Sequence, residues 1–141
     1  MTRIRPDRPL IPLFETLGFY IELDTEAVEA HCVLEISDVV RNRGGLLHGG
    51  VSATLLDTAS GITAALACDD EGLTPFVTLS LTVNYLAPVR SGTVRATGRI
   101  TGGGRATKFV SCQLTDSDGR LIASSTGVFK QIGTLPEKDT A

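Results

Sequence analysis

The run from Asn42 to Ala67, NRGGLLHGGVSATLLDTASGITAALA, constrains this chain more than any other, because a glycine-rich turn carrying a histidine opens its only long helical pattern. Gly44, Gly45, Gly49 and Gly50 bracket Leu46, Leu47 and His48. That is more glycine than a cap needs and points to backbone that another group must approach closely. Val51, Leu55, Ala59, Ile62 and Leu66 then recur at the spacing of one helical face, which predicts a helix over 51–67 with that stripe against a core. At roughly 100° per residue, Thr54, Asp57, Gly61 and Ala64 form a second stripe, small except for one carboxylate. A solvated face carries Lys, Glu and Gln, so this one predicts contact with a second subunit or a ligand.

Taken alone, Asp57 reads as a solvated or hydrogen-bonded helix residue. Its place, about two turns after a helix N-terminus rich in free N–H groups, sets a carboxylate beside a donor set that favours negative charge. Such donors can polarise an acyl carbonyl while the carboxylate attacks it or activates water. His48 and Asn42, ordinary turn residues taken singly, are candidates for polar groups aimed into the same pocket.

The rest of the chain reads as one α+β domain of ordinary soluble composition, 42% hydrophobic and 21% charged over 141 residues. Residues 1–8 are basic and expected to fray, and a short helix is expected over 9–17, ended by Gly18. Phe19 to Leu23 and Ala27 to Ile36 read as a hairpin around Asp24, Thr25 and Glu26; His31 carries little weight there. After a polar loop at Asp69 to Gly72, Val77 to Tyr85 alternates apolar and polar, predicting a strand with one core face. Val94 to Ile100, Thr107 to Thr115 and Leu121 to Phe129 give three more strands, turned at Gly102 to Gly104 and at Asp118-Gly119. An antiparallel sheet curling round the helix follows. Cys32, Cys68 and Cys112 have neither C-x-x-C nor metal spacing and read as small core residues. With no secretory leader pattern and no run long enough to span a bilayer, a cytoplasmic protein is expected.

Asn42, the run Leu47-His48-Gly49-Gly50 and Asp57 together resemble the signature of hotdog-fold acyl-CoA thioesterases of the phenylacetate-degradation (PaaI-like) type. The likeness continues through VTLSLTVNYLAPVRSG, the turn near Arg105 and DSDGRLIASSTGVF, covering roughly 34–132. It implies a hotdog domain over 19–132, flanked by an arm with a short helix (1–18) and a tail (133–141). In that resemblance Asp57 is the carboxylate acting as nucleophile or general base on a thioester. The Gly49 N–H with the Asn42 side chain polarises the carbonyl, His48 positions substrate and sulfur, and Thr78 orients water from the neighbouring subunit. No metal or cofactor is implied, coenzyme A being part of the substrate. The active site is implied at a homodimer interface, with a tetramer as a further assembly. An acyl-CoA-binding module without turnover, or hydration and dehydration of enoyl and hydroxyacyl thioesters, are the alternatives.

Charge adds to this. Between Leu73 and Thr115 there is no Asp or Glu, whereas Arg90, Arg95, Arg99, Arg105 and Lys108 fall there. A charge run is commonly a solvated face, but glycine amides beside a guanidinium at Gly102 to Arg105 suit a phosphate. With the resemblance, Gly50, Tyr85, Pro88, Gly103, Gly104 and Arg105 become the expected coenzyme A contacts. A net charge of −3 and few aromatic residues argue against nucleic acid.

Overall fold

The computed structural model describes residues 2–4 and 12–134. Its strands are β1 (Thr2–Ile4), β2 (Tyr20–Asp24), β3 (Glu29–Glu35), β4 (Phe76–Tyr85), β5 (Thr93–Gly103), β6 (Thr107–Asp116) and β7 (Leu121–Gln131). They form one antiparallel sheet in the order β1-β2-β3-β5-β6-β7-β4. The helices are α1 (Leu13–Leu17) and α2 (Gly49–Leu66).

α2 lies on one face of the sheet because its apolar stripe has nowhere else to go. Leu55, Leu56 and Ala59 are fully buried with Ile21, Cys32, Leu34, Ala96 and Leu114, and Val51 and Ile62 pack at the margin of the same cluster. The helix can come this close because β5 carries Gly98 at the crossing: a Cβ there would collide with Thr63 Oγ1 and the Ala59 carbonyl. Thr63, buried on the helix, accepts a hydrogen bond from the Ala30 N–H at 3.0 Å, which ties α2 to β3.

Several expectations are corrected. The helix begins at Gly49 rather than Val51, since the His48 side chain caps it. Ala64, placed on the open stripe, is buried against Val110 and Phe129, so only Thr54, Asp57 and Gly61 of that stripe stay partly open. Thr2–Ile4, expected to fray, pairs with β2. Of the short helix expected over 9–17, residues 9–11 lie outside the described residues and the helix spans Leu13–Leu17; the tail at 135–141 also lies outside them. Ala27 and Val28 belong to the β2–β3 turn, where the Asp24 carboxylate accepts the Ala27 N–H and Val28 adopts φ 55°. Cys32 and Cys112 are core residues, whereas Cys68 is exposed beyond the end of α2.

β4 differs most from its sequence pattern. Its alternation suggested a core face, yet the strand is the edge of the sheet, and Val77, Leu79 and Tyr85 are exposed by 39%, 57% and 58%. The register against β7 shifts between Thr78 and Ser80, so Leu79 is an extra residue that breaks the inward-outward alternation. Of β4, Phe76, Leu81 and Val83 pack inward. Among the described residues the outer edge of β4 pairs with nothing, leaving a row of backbone donors and acceptors on an apolar strand. No helix among the described residues is long and apolar enough to cross a membrane.

Candidate active site

The loop before α2 is built from its own polar groups. Asn42 Oδ1 accepts from the Gly44 N–H at 2.9 Å and the Leu46 N–H at 3.1 Å, and Gly45 takes φ 77° to close the turn. Leu47 and His48 are then held through their N–H groups by the Val89 and Val40 carbonyls, each at 2.8 Å. This fixes where α2 starts. The Asn42 side-chain oxygen is thus committed to the loop, and its NH2 donates to nothing among the described residues.

At the helix entrance one peptide group is held at both ends. The Gly50 N–H donates to His48 Nδ1 at 2.8 Å, and the Tyr85 hydroxyl donates to the Gly49 carbonyl at 2.7 Å. A Cβ on Gly50 would press the imidazole at 3.0 Å, and one on Gly49 would press the Tyr85 ring at 3.3 Å, so glycine lets both rings lie close. The Gly50 N–H is therefore not available to a ligand. The Gly49 N–H, the first of the orphan donors of a helix start, bonds to nothing among the described residues. It borders a cavity of about 340 Å³ shared with Asn42, Ser52, Leu86, Pro88 and Ile122.

Asp57 stands lower on α2, in a second cavity of about 230 Å³. The Thr78 hydroxyl donates to its Oδ1 at 2.7 Å, within one chain. β4 runs beside the helix and sets this pair together, so Thr78 reaches a site with Asp57 of its own chain, and it comes from a neighbour only relative to the Gly49 entrance of another protomer. Gly49 and Asp57 do not share a cavity. Eight residues of helix separate them by about 12 Å along the axis.

The expected coenzyme A contacts are also parted. Tyr85 and Pro88 border the Gly49 cavity, at the C-terminal end of β4. Gly103, Gly104 and Arg105 form the β5–β6 hairpin near Phe76, at the other end of that strand, about 30 Å away for a ten-residue strand. Gly103 is there for the turn: its φ is 99°, and a Cβ would strike the Thr107 carbonyl. The Gly104 N–H donates to that carbonyl at 2.8 Å and is not free for a phosphate. The excess of cations shrinks as well. Arg95 pairs with Glu22 at 2.9 Å, Arg99 lies 3.5 Å from Glu29, and Arg90 braces the Gly44 carbonyl. Arg105 has no ion pair among the described residues.

Sequence reasoning missed the walls of the Asp57 cavity. Phe76 and Phe129 come from strands at opposite ends of the sequence pattern, and Gly72 and Thr74 come from a loop with no motif. The one signal was Asp69, whose side chain organises that loop by accepting from the Glu71, Leu73 and Thr74 N–H groups. No cluster of His, Cys, Asp and Glu suited to a metal occurs among the described residues.

Comparison with known proteins places this geometry. The profile of the Thioesterase superfamily matches residues 44–123. Acyl-coenzyme A thioesterase 13 of Mus musculus is 35% identical over 94 residues, 65% of either chain, so this chain spans just under two thirds of that curated relative. A 1,4-dihydroxy-2-naphthoyl-CoA hydrolase of Listeria monocytogenes is 32% identical over 113 residues, 80% of this chain and 89% of that one. The solved structure of PaaI, from the phenylacetic acid degradation operon of E. coli, superposes with a TM-score of 0.75 at 23% identity, covering 89% of this chain and 87% of that one. The wrapped sheet around one long helix is the hotdog fold.

Proposed function

The chain belongs to the thioesterase superfamily, and from that premise we propose that it hydrolyses acyl-CoA thioesters, with Asp57 as general base on a water held beside Thr78. The observation that carries this reading is the Thr78–Asp57 hydrogen bond of 2.7 Å, which fixes a carboxylate in the lining of a cavity where mere binding of an anionic ligand has no use for one. The water oxygen attacks the thioester carbon and gives its proton to Asp57. The Gly49 N–H and the Asn42 NH2 stabilise the oxyanion that develops. The C–S bond then breaks, and the coenzyme A sulfur leaves as thiolate and takes up a proton. The reaction as written draws on no metal or cofactor.

One carbonyl cannot sit within about 3–3.5 Å of both the donor and the attacking oxygen when about 12 Å of helix lies between them. The site is therefore completed by two protomers. The helix entrance of one faces Asp57 and Thr78 of the other, with the open β4 edges paired antiparallel. That pairing also carries the hairpin at Gly103 to Arg105 of one protomer toward Tyr85 and Pro88 of its partner, rejoining the two halves of a coenzyme A groove with Arg105 as its free cation. A tetramer would be two such dimers. Three unpaired thiols suit a reducing compartment such as the cytoplasm.

The test combines two variants. Asp57→Asn keeps the fold and the binding of CoA esters while thiol release falls about 100-fold or more. Asn42→Ala weakens the opposite half-site. Refolding the two variants together restores activity, because half of the sites in a mixed dimer are assembled from intact parts. Undiminished thiol release by Asp57→Asn rejects the role of the carboxylate. Failure of the mixture to exceed either variant rejects the shared site.

A further inference from the structure

The cavity beside Asp57 is a trough along α2. It follows α2 from Asp57 past Gly61 and Ile62 to Ala65, with the rings of Phe76 and Phe129 as its side. The loop 69–74 contributes Gly72 and Thr74 to its lining, with Gly72 beside Ile62 on the second half of α2. This loop is fastened, not merely present. The Asp69 carboxylate accepts from the N–H groups of Glu71 at 3.0 Å, Leu73 at 3.1 Å and Thr74 at 2.8 Å, and from the Thr74 hydroxyl. Burial opposes the charge on Asp69, but the hydrogen bonds from Thr74, Leu73 and Glu71 outweigh it and hold the carboxyl below its ordinary value. Gly72, at φ 67°, lies against Ile62 so closely that a Cβ would meet the Ile62 side chain at 3.1 Å.

We propose that this Asp69-fastened loop is the end wall of the acyl pocket and limits the enzyme to compact acyl groups of about eight non-hydrogen atoms beyond the carbonyl. Arylacetyl and medium-chain acyl esters fit that description, and long fatty acyl esters do not. Two measures agree. A volume of 230 Å³, divided by roughly 30 Å³ per small packed group, holds about eight. Asp57 to Ala65 spans about 12 Å of helix. About 3 Å of that separates the carboxylate from the reacting carbon. The remaining ~9 Å takes seven or eight atoms of extended chain at ~1.2 Å per bond. The inference rests on Asp57 marking the reacting carbon, and Asp69 acts as a positioning residue through the loop.

The experiment measures thiol release by the full chain from butyryl-, octanoyl-, phenylacetyl-, dodecanoyl- and hexadecanoyl-CoA. The expected kcat/KM for hexadecanoyl-CoA is at least about tenfold below that for octanoyl-CoA, in the range that pocket size can discriminate. Asp69→Ala raises the hexadecanoyl-to-octanoyl ratio at least about tenfold, and Asp69→Asn, which keeps an acceptor oxygen, restores most of the native ratio. Loss of stability alone would not move that ratio. Gly61→Leu gives an independent reading, since a Cβ there meets only the Phe129 ring at 4.0 Å and the side chain can enter the trough. It lowers the ratios of octanoyl and phenylacetyl to butyryl turnover at least about tenfold. Equal rates on hexadecanoyl- and octanoyl-CoA, or ratios unmoved by Asp69→Ala and Gly61→Leu, overturn the end wall and leave the thioesterase reading standing. No thiol release from any ester overturns that reading, and the wall with it.

Discussion

Replacing Gly98 by alanine tests the contact on which the helix is seated. The added methyl would overlap Thr63 Oγ1 and stand 2.8 Å from the Ala59 carbonyl, so either the helix lifts or Thr63 turns away. Overpacking of this kind costs about 1–3 kcal/mol. If Thr63 turns, the buried Ala30 N–H loses its acceptor at 3.0 Å, which costs about 1–3 kcal/mol more. The smaller entropy of an unfolded chain with alanine returns up to about 1 kcal/mol, so the net loss is about 2–4 kcal/mol. With an unfolding entropy near 2.1 cal/mol/K per residue, that loss lowers Tm by about 7–13 °C. Differential scanning calorimetry and urea titration of Gly98→Ala against the native chain measure it. Removing the hydroxyl in Gly98→Ala/Thr63→Ala recovers only part, because the Ala59 carbonyl stays too close. A Gly98→Ala protein within about 1 kcal/mol of the native one would refute the close seating of α2 on β5.

Tyr85→Phe deletes the 2.7 Å hydrogen bond to the Gly49 carbonyl while keeping the ring. Because Tyr85 is 58% exposed, stability changes by no more than about 1 kcal/mol. The entrance peptide loosens, so kcat falls several-fold with a smaller change in KM; an unchanged kcat would remove Tyr85 from the positioning of the donor. His31, whose Nδ1 lies 2.9 Å from Thr97 Oγ1, has its pKa lowered from 6.5 by burial first and by the Arg95 charge second. The folded state then binds fewer protons than the unfolded chain, so this contribution to stability is complete above pH 6.5 and is lost as pH falls below it. His31→Gln is expected to flatten the decline of the urea midpoint between about pH 7.5 and pH 5, and an equally steep decline would assign it to other groups.

What local pattern controls was readable in advance. The stripe of α2 predicted Leu55, Ala59 and Leu66 in the core, and Asp118-Gly119 marked the β6–β7 turn, where Gly119 has φ 81°. Sheet order was not readable, since alternation along β4 says nothing about whether a strand has one neighbour or two. The first residues looked frayed because their partner is a separate strand, not their own periodicity. Counting charges along the chain overstated the cationic surface, because Arg95 is neutralised by Glu22, 73 residues away. Asn42, His48, Gly49 and Asp57 stood out as a set only through the family resemblance. What each one's hydrogen bonds leave free was not visible, because that depends on Thr78, Tyr85 and the 42–48 loop folding back upon them.

The cap at His48 settles the state of its ring. With Nδ1 receiving the Gly50 hydrogen, a neutral imidazole must carry its own proton on Nε2. The open nitrogen of this side chain therefore offers a hydrogen and not a lone pair. It can steady a sulfur or an oxygen that is gaining electrons, but it cannot deprotonate the incoming nucleophile.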